Sequence, residues 1–347
     1  LLAAGGGKGE VAVYDLARET PRLFAGGPPH RGPVESVAFL ADDPAAAPAD
    51  GKAARHLVSL DNQGRCLVWD VSREQTRLLS MPADGKARLL TVARRPGPVA
   101  FCLVAPSRSG GEVVQAFDSK GGHVASTSAP VRVTALTIAD DGVLVRVGGE
   151  DGSVAEFELP GGAKRREWKL KDPVSRIKES PLWLIAATDR TLHVLPRGGR
   201  DGRVTTTLTL NGAIAEVALS ADGRLVAACD AFRGELRVWE LAADGTSAAP
   251  VEIEAKAGGA ALSLCFSPGG EILAAGDGDG GIRFWEIPSG RARPGISASR
   301  GRVRHIAVAP DEKVLLQIND DGLALVWEFG AGRGARPAQA DAAPETG

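Results

Sequence analysis

The sequence predicts an all-β protein built from repeated four-stranded antiparallel units. Three observations lead to this prediction. One short pattern recurs eight times along the 347 residues, and Asp/Gly or Pro/Gly turns separate its apolar segments. In addition, no window of useful length shows the 3.6-residue period of an amphipathic helix.

The recurring pattern is an apolar strand, a Gly/Asp turn, a second apolar strand, and an aromatic residue followed by an acid. Clear copies are LVSLDNQGRCLVWD, which ends at Asp70, and LAAGDGDGGIRFWE, which ends at Glu286. The positions that align with the aromatic residue are Tyr14, Trp69, Phe117, Phe157, Val194, Trp239, Trp285 and Trp327. Their mean spacing is about 45 residues, the length of a four-stranded repeat unit.

A further strand precedes this pattern in most units and ends at a tight turn. Alternating apolar residues predict it at Val34–Phe39, Val133–Ile138, Ile214–Leu219, Ala261–Phe266 and Val303–Val308. Within one unit we number the strands one to four in chain order, so that the aromatic position falls on the third strand.

Seven first strands are recognisable against eight second and third strands. The first unit therefore lacks its first strand, and the last unit is expected to lack its fourth. The repeats span residues 1–329. Residues 330–347 have no apolar periodicity, which predicts a disordered C-terminal tail.

Two motifs resemble the WD-repeat family of β-propellers: the segment 29–39 (PHRGPVESVAF) and LVWD at 67–70. The resemblance implies four-stranded blades whose first strands surround a central channel. The chain fits an eight-bladed ring, or a C-terminal fragment of a longer chain in which residues 34–329 form seven blades. Its Ala, Gly and Arg content is typical of a bacterial protein.

Composition narrows the classes of function. The formal net charge of −2 is inconsistent with a dedicated nucleic-acid binder, and no apolar run reaches the ~18 residues of a membrane span. The four cysteines, Cys66, Cys102, Cys229 and Cys265, form no C-x-x-C pair and are expected to be free thiols. Together with the lack of a signal peptide in this segment, they favour a cytoplasmic location.

The resemblance also implies a buried hydrogen-bonded chain of His, Ser, Asp and Trp. The second unit supplies His30, Ser59 and Trp69, but Gln63 occupies the expected Asp position, so we expect this chain to be incomplete or altered. Other units have Asp151, Asp279 or Asp321 at that position without the His. Trp239, Trp285 and Trp327 are expected to be structural residues of their units.

No cofactor, metal or catalytic residue is predicted. The segment 276–281 (GDGDGG) resembles the start of a calcium loop, but the twelfth position counted from Asp277 is Pro288 instead of a bidentate Glu. A turn is therefore predicted there. The five histidines have no metal-ligand spacing.

The expected function is that of a non-enzymatic scaffold for protein–protein interaction, monomeric and one module of a larger bacterial protein. The alternative is a propeller enzyme, lactonase-like or quinoprotein-like, with its active site at the channel mouth. The partner is an unidentified protein or peptide. Candidate partner-binding residues lie at or near the starts of first strands: Glu35, Arg88, Arg176, Arg302 and Arg304.

The run 164–166 (KRR) predicts a charged edge strand. Trp168, two residues further on, is expected to be less buried than Trp285 or Trp327.

Overall fold

The computed structural model describes strands and turns over most of the chain. The described residues are 2–5, 11–14, 22–23, 30–41, 56–70, 75–79, 86–107, 110–129, 131–197, 204–230, 232, 234–242, 248–251, 253, 261–297, 301–308, 314–320, 324–330 and 333–337. They contain no helix, which confirms the all-β prediction. Accordingly, no helix in this part of the chain is long and apolar enough to cross a membrane.

The strands of the N-terminal part form four antiparallel sheets, which we number in chain order. Sheet 1 has three described strands: β1 (Leu2–Gly5), β2 (Val11–Tyr14) and β3 (Arg22–Leu23). Sheet 2 consists of β4 (Val34–Phe39), β5 (His56–Asp61), β6 (Cys66–Asp70) and β7 (Gln75–Leu78). Sheet 3 consists of β8 (Arg88–Val92), β9 (Phe101–Pro106), β10 (Glu112–Phe117) and β11 (His123–Ala129). Sheet 4 consists of β12 (Val133–Ile138), β13 (Leu144–Gly149), β14 (Ser153–Glu158) and β15 (Lys164–Lys169).

The remaining strands form four more sheets with the same connectivity. Sheet 5 consists of β16 (Arg176–Glu179), β17 (Trp183–Ala187), β18 (Thr191–Pro196) and β19 (Thr206–Thr209). Sheet 6 consists of β20 (Ile214–Leu219), β21 (Leu225–Asp230), β22 (Leu236–Leu241) and β23 (Ala248–Val251). Sheet 7 consists of β24 (Ala261–Phe266), β25 (Ile272–Asp277), β26 (Gly281–Glu286) and β27 (Ala292–Ser297). Sheet 8 consists of β28 (Val303–Val308), β29 (Val314–Asn319), β30 (Ala324–Gly330) and β31 (Arg333–Pro337).

The chain divides into two compact units, Leu1–Ile177 and Lys178–Gly347. Within the first unit, separate apolar cores lie between sheets 1 and 2, sheets 2 and 3, and sheets 3 and 4. Within the second, such cores lie between sheets 5 and 6, 6 and 7, and 7 and 8. Each unit is therefore a series of sheets that pack face to face in sequence order.

This packing explains the burial pattern of the strands. Residues of β9 and β21, two of the second strands, are buried almost without alternation, because sheets 3 and 6 each have a neighbouring sheet on both faces within their unit. Fourth strands such as β15 and β27 are mostly exposed. Charged side chains at the edges of sheets are thus compatible with the fold, as the run 164–166 predicts.

The pairing registers refine the third-strand alignment. Seven of the eight aligned positions are aromatic residues, and each is opposite a second-strand residue, as Trp69 is opposite Leu57. They lie on β2, β6, β10, β14, β22, β26 and β30. In sheet 5 the alignment at Val194 is off by one residue. Leu195 pairs with Leu184 and takes the aromatic position. Both Val194 and Leu195 are buried.

The last sheet has a fourth strand that the sequence pattern does not predict. Arg333–Pro337 pairs with β30, with Trp327 opposite Pro337, so sheet 8 has four strands. Periodicity could not reveal this strand, because backbone hydrogen bonds to β30 need no apolar side chains. Residues 338–347 lie outside the described part of the chain, and the domain boundary at 329/330 stays a prediction.

Trp168 differs from the sequence expectation. It lies on β15, the fourth strand of sheet 4, yet only 2% of its surface is exposed, compared with 4% for Trp285. It is paired with Val154, which is also buried, while its neighbours Glu167 and Lys169 point to the solvent side. The alternation of a strand thus buries one aromatic side chain within a charged segment.

We expect Trp168→Ala to lower the free energy of unfolding by about 3–5 kcal/mol, as much as Trp285→Ala, because both remove a large buried ring. Arg165→Ala, on the exposed side of the same strand, serves as the control and should change stability by less than about 1 kcal/mol. Urea unfolding of the three variants measures this. A Trp168→Ala midpoint close to that of Arg165→Ala would contradict the burial of the ring.

Candidate functional site

The first strands share one irregularity near their beginnings. The pairing register shifts between Val34 and Ser36, between Val133 and Ala135, and at the matching positions of β8, β20, β24 and β28. One residue is therefore bulged out of the ladder in each of these strands. A bulge re-aims a side chain and is common beside functional sites. We call these residues the first-strand bulges: Glu35, Leu89, Thr134, Ala215, Leu262 and Arg304.

Two of the candidate partner-binding residues are first-strand bulges. Glu35 in the first unit and Arg304 in the second are both exposed. Because neither side chain belongs to the regular ladder, each is presented to solvent by a rigid strand. Arg302 is also exposed, and its backbone N–H donates to the Asp320 carboxylate at 3.0 Å. Arg176 begins β16 and is half-buried.

Arg88 is placed differently from the other candidates. The bulge in β8 is Leu89, which has a φ of 57°, and Arg88 itself pairs with Val104. The Arg88 guanidinium donates from Nε to Glu112 Oε1 at 3.0 Å and from Nη2 to the Val133 carbonyl at 2.7 Å. Glu112 Oε2 in turn accepts the Val133 backbone N–H at 2.5 Å. Arg88 and Glu112 thus hold the first residue of β12 against sheet 3.

The buried chain that begins at His30 is complete. Trp69 Nε1 donates to Ser59 Oγ at 2.7 Å, and Ser59 Oγ lies 2.6 Å from His30 Nε2. His30 Nδ1 lies 3.1 Å from Asp61 Oδ2. Since the carboxylate can only accept, Nδ1 carries the proton and Nε2 accepts from the Ser59 hydroxyl. Burial lowers the pKa of His30, which favours this neutral form.

Of the two alternatives, incomplete or altered, the first is wrong: Gln63 does not interrupt this chain, because Asp61 supplies the carboxylate. Asp61 ends β5, and its Oδ1 accepts the backbone N–H groups of Gln63 at 2.9 Å and Arg65 at 2.8 Å. The same carboxylate therefore caps the turn and holds His30. The signal was present in the sequence as Asp-Asn-Gln-Gly, in which the Asp opens the turn instead of lying inside it.

The turn of sheet 7 shows the same arrangement. Asp277 Oδ1 accepts the backbone N–H groups of Asp279 at 3.0 Å and Gly281 at 2.8 Å, and Arg283 Nη2 donates to Asp277 Oδ2 at 2.9 Å. Asp277, and not the exposed Asp279, is thus the counterpart of Asp61. Gly280, with a φ of 88°, closes the turn in a conformation that favours glycine. The segment 276–281 is a turn between β25 and β26, as predicted.

Sheet 8 has a related chain that sequence reasoning missed. Trp327 Nε1 donates to Gln317 Oε1 at 3.0 Å, and Gln317 Nε2 donates to Asn319 Oδ1 at 2.9 Å. Gln317 and Asn319 occupy the register positions of Ser59 and Asp61. The Gln317 side chain is longer than that of Ser59, and it connects the Trp327 indole directly to Asn319, whereas His30 makes this connection in sheet 2. The Gln within the otherwise apolar strand VLLQIN is the sequence signal that could have found it, because a buried Gln needs a polar partner.

A second polar cluster, also missed, lies on the first strands of the second unit. Lys178 Nζ on β16 lies 3.1 Å from Glu216 Oε1 on β20. His305, next to Arg304 on β28, has its pKa lowered by desolvation and by the charges of Lys178 and Arg304, while Glu216 opposes this shift. Each residue is unremarkable in sequence, and only the fold brings the three strands into one electrostatic environment.

The described residues contain no group of three or more His, Cys, Asp or Glu side chains arranged to hold a metal ion. Cys66, Cys102 and Cys229 are buried, Cys265 is half-buried, and all four are free thiols. Burial raises the pKa of the Cys265 thiol to about 12, so it is protonated at neutral pH.

In sequence, the chain is similar to one family model and to individual known proteins. Residues 254–286 match the family model of the WD domain, G-beta repeat. The apoptotic protease-activating factor 1 of Homo sapiens is 29% identical over 122 residues, which are 34% of this chain and 10% of that protein. The corresponding protein of Mus musculus is 35% identical over 68 residues, 20% of this chain and 5% of that protein. The chain thus spans a tenth or less of the length of these relatives.

Similarity in structure is more extensive. The crystal structure of the computationally designed Ika8 protein aligns with a TM-score of 0.72 over 94% of this chain and 92% of that chain, at 19% sequence identity. At this level of identity the likeness concerns the fold alone.

We expect Ser59→Ala to lower the free energy of unfolding by about 1–3 kcal/mol, because it removes the hydroxyl between the Trp69 indole and the His30 ring in a buried site. Ser289→Ala, at an exposed turn residue, is the matched control and should stay within about 0.5 kcal/mol of the original chain. Thermal or urea unfolding distinguishes the two. Equal effects would mean that the buried chain contributes nothing to stability.

We expect Arg88→Ala to destabilise the chain by about 1–3 kcal/mol, since it leaves the nearly buried Glu112 carboxylate without its guanidinium. Arg304→Ala removes an exposed arginine and should leave the urea midpoint nearly unchanged. If both substitutions leave the midpoint unchanged, Arg88 is free to serve a partner, as the sequence analysis suggests.

Proposed function

Because the chain contains a WD repeat and has a β-propeller fold, we propose that it is a protein-interaction scaffold that binds a protein or peptide partner. The observation that supports this is the first-strand bulge, which presents exposed charges on rigid strands at Glu35 and Arg304. WD-repeat domains are in general non-enzymatic scaffolds, and a rigid framework reduces the entropy that binding costs.

We further propose that the contacts are made by Glu35 in the first unit and by Arg302 and Arg304 in the second. These three side chains are exposed, and exposed charges on a firm backbone give orientation and specificity to an encounter. Arg176 is a weaker candidate because it is half-buried. The Arg88 guanidinium donates to Glu112 and stabilises the fold. We therefore expect a substitution of Arg88 to affect binding only indirectly.

The scaffold is proposed to act as a monomer and as one module of a larger bacterial protein. The short match to much longer relatives is consistent with a module, and the Ala-, Gly- and Arg-rich composition is consistent with a bacterial source. The near-neutral net charge supports a protein partner over a nucleic acid. No described feature favours the alternative of a propeller enzyme.

A peptide-display selection on the full chain tests this function. We expect selected peptides to lose at least about fivefold in affinity with Glu35→Ala or Arg304→Ala, the effect of removing a residue that contributes more than about 1 kcal/mol to binding. Arg165→Ala and Arg293→Ala are matched controls, because both arginines are exposed on fourth strands and pair with Glu158 and Glu286.

The result contradicts the proposed residues if affinity falls with the two control variants and not with the first-strand variants. It contradicts the scaffold itself if no peptide from the selection binds the folded chain.

A further inference from the structure

The second unit carries a cluster of charged and titratable side chains on its first strands: Lys178, Glu216, Arg304 and His305. Lys178 is about half exposed and its ammonium group is 3.1 Å from the Glu216 carboxylate, which is 23% exposed. Arg304 and His305 are both exposed. The ion pair is therefore open to competition from solvent and solutes, and its net stabilisation is small.

The charges of this cluster act on one another. Desolvation is the main cause that disfavours the protonated form of His305. Among the neighbouring charges, Glu216 favours that form, and Lys178 and Arg304 disfavour it. These two cations and one anion leave a local excess of positive charge at neutral pH. Protonation of His305 would increase that excess, so the cluster becomes a better site for an anion as the pH falls.

The strands that pack against β28 provide no other counter-charge to His305. β24 carries no charged residue, and its Cys265 thiol is protonated at neutral pH. On β25 the Asp277 carboxylate is bound by Arg283. β29 carries the neutral Gln317 and Asn319, and the exposed Asp320 that follows it accepts the Arg302 backbone N–H. Glu216 is thus the carboxylate that balances the cluster in this part of the described chain.

The two functional side chains of β28 reach the surface because of its bulge. The register shift between Val303 and His305 leaves Arg304 out of the ladder and places two consecutive residues at the exposed side. A regular strand would alternate them between the two faces. An extended ligand lying along β28 could therefore meet a guanidinium and an imidazole side by side.

We propose that the first-strand face of the second unit binds an acidic peptide segment, with ligand carboxylates taking the place of Glu216 beside Lys178 and contacting Arg304 and His305. This proposal rests on the proposed scaffold function and specifies the chemistry of its partner. Charge complementarity identifies the occupant. The cluster offers two cationic side chains and one titratable imidazole, and the single carboxylate among them, that of Glu216, can be replaced by a ligand carboxylate. Binding is expected to weaken with salt, since the groups are exposed.

The experiment measures binding of a fluorescent hexaglutamate peptide to the full chain by anisotropy, with hexalysine as the opposite probe. We expect hexaglutamate to bind more tightly at about pH 6 than at about pH 8, because its carboxylates stabilise the imidazolium of His305. Glu216→Gln should tighten binding by about fivefold, since it releases Lys178, and Arg304→Met should weaken it by about the same factor.

Two control variants, His123→Gln and Arg293→Met, distinguish binding at this cluster from nonspecific electrostatic attraction to the chain. His305→Gln should remove the pH dependence, whereas His123→Gln, at an exposed histidine of β11, should retain it. Arg293→Met, at an exposed arginine of β27, should leave the affinity unchanged. Urea midpoints of all variants, measured in parallel, establish that the chain remains folded.

The proposal is overturned if hexalysine binds more tightly than hexaglutamate, if Glu216→Gln weakens hexaglutamate binding, or if Arg304→Met and Arg293→Met have equal effects. Peptides from the display selection test the scaffold function separately from the acidic partner. Bulge-dependent binding of neutral or basic peptides, without binding of hexaglutamate, would preserve the scaffold and refute the acidic partner.

Discussion

Burial of the second and third strands on both faces is the constraint on which the rest of the structure depends. These strands lie between neighbouring sheets within each unit, so most of their side chains must be apolar and the few polar ones must find partners. Ser59 meets His30 and Trp69, Gln317 meets Trp327 and Asn319, and Arg146 meets Glu156 at 2.8 Å. Solvent-exposed polar side chains are consequently concentrated on the first strands, the fourth strands and the turns, with exceptions such as Arg237 on β22.

The first strands combine this constraint with a bulge. Their later residues belong to the apolar cores, as Val217 and Leu219 do, while the bulge turns the preceding residues toward solvent. A charge placed there costs the fold little, which explains why Glu35 and Arg304 are tolerated. Arg88 shows the opposite case. It is paired within the regular ladder, and its charge is neutralised by the Glu112 carboxylate of the same sheet.

Much of the fold could be predicted from the sequence, because strand periodicity and turn residues are local signals. The predicted strands Val133–Ile138 and Ala261–Phe266 coincide with β12 and β24. The strand β31 lacks such a signal, since it depends on pairing with a neighbour. Asp61 is harder to recognise because several polar residues share its turn, although its position at the opening of that turn is a sequence signal.

The candidate site was less predictable for a similar reason. Exposed residues near the starts of first strands could be aligned by counting, but the side chains that meet one another could not. Lys178 and Glu216 are 38 positions apart in sequence, and their contact exists only because β16 and β20 come together in the fold. Trp168 is buried against the sequence expectation because the alternation of a strand overrides the average polarity of its segment.

The buried Arg146–Glu156 pair has a consequence for how the chain finds its own fold. Repeats of similar sequence can exchange strands during folding, a common cause of misassembly in repeat proteins. The residues that correspond to Glu156 in the other four-stranded sheets are all apolar: Val68, Ala116, Val194, Val238, Phe284 and Val326. Pairing β13 with any of those third strands would bury a guanidinium without a carboxylate, at a cost of several kcal/mol. One charged pair thereby favours the native pairing of β13 with β14 over non-native pairings with third strands of other repeats. It specifies the strand register within a repetitive chain.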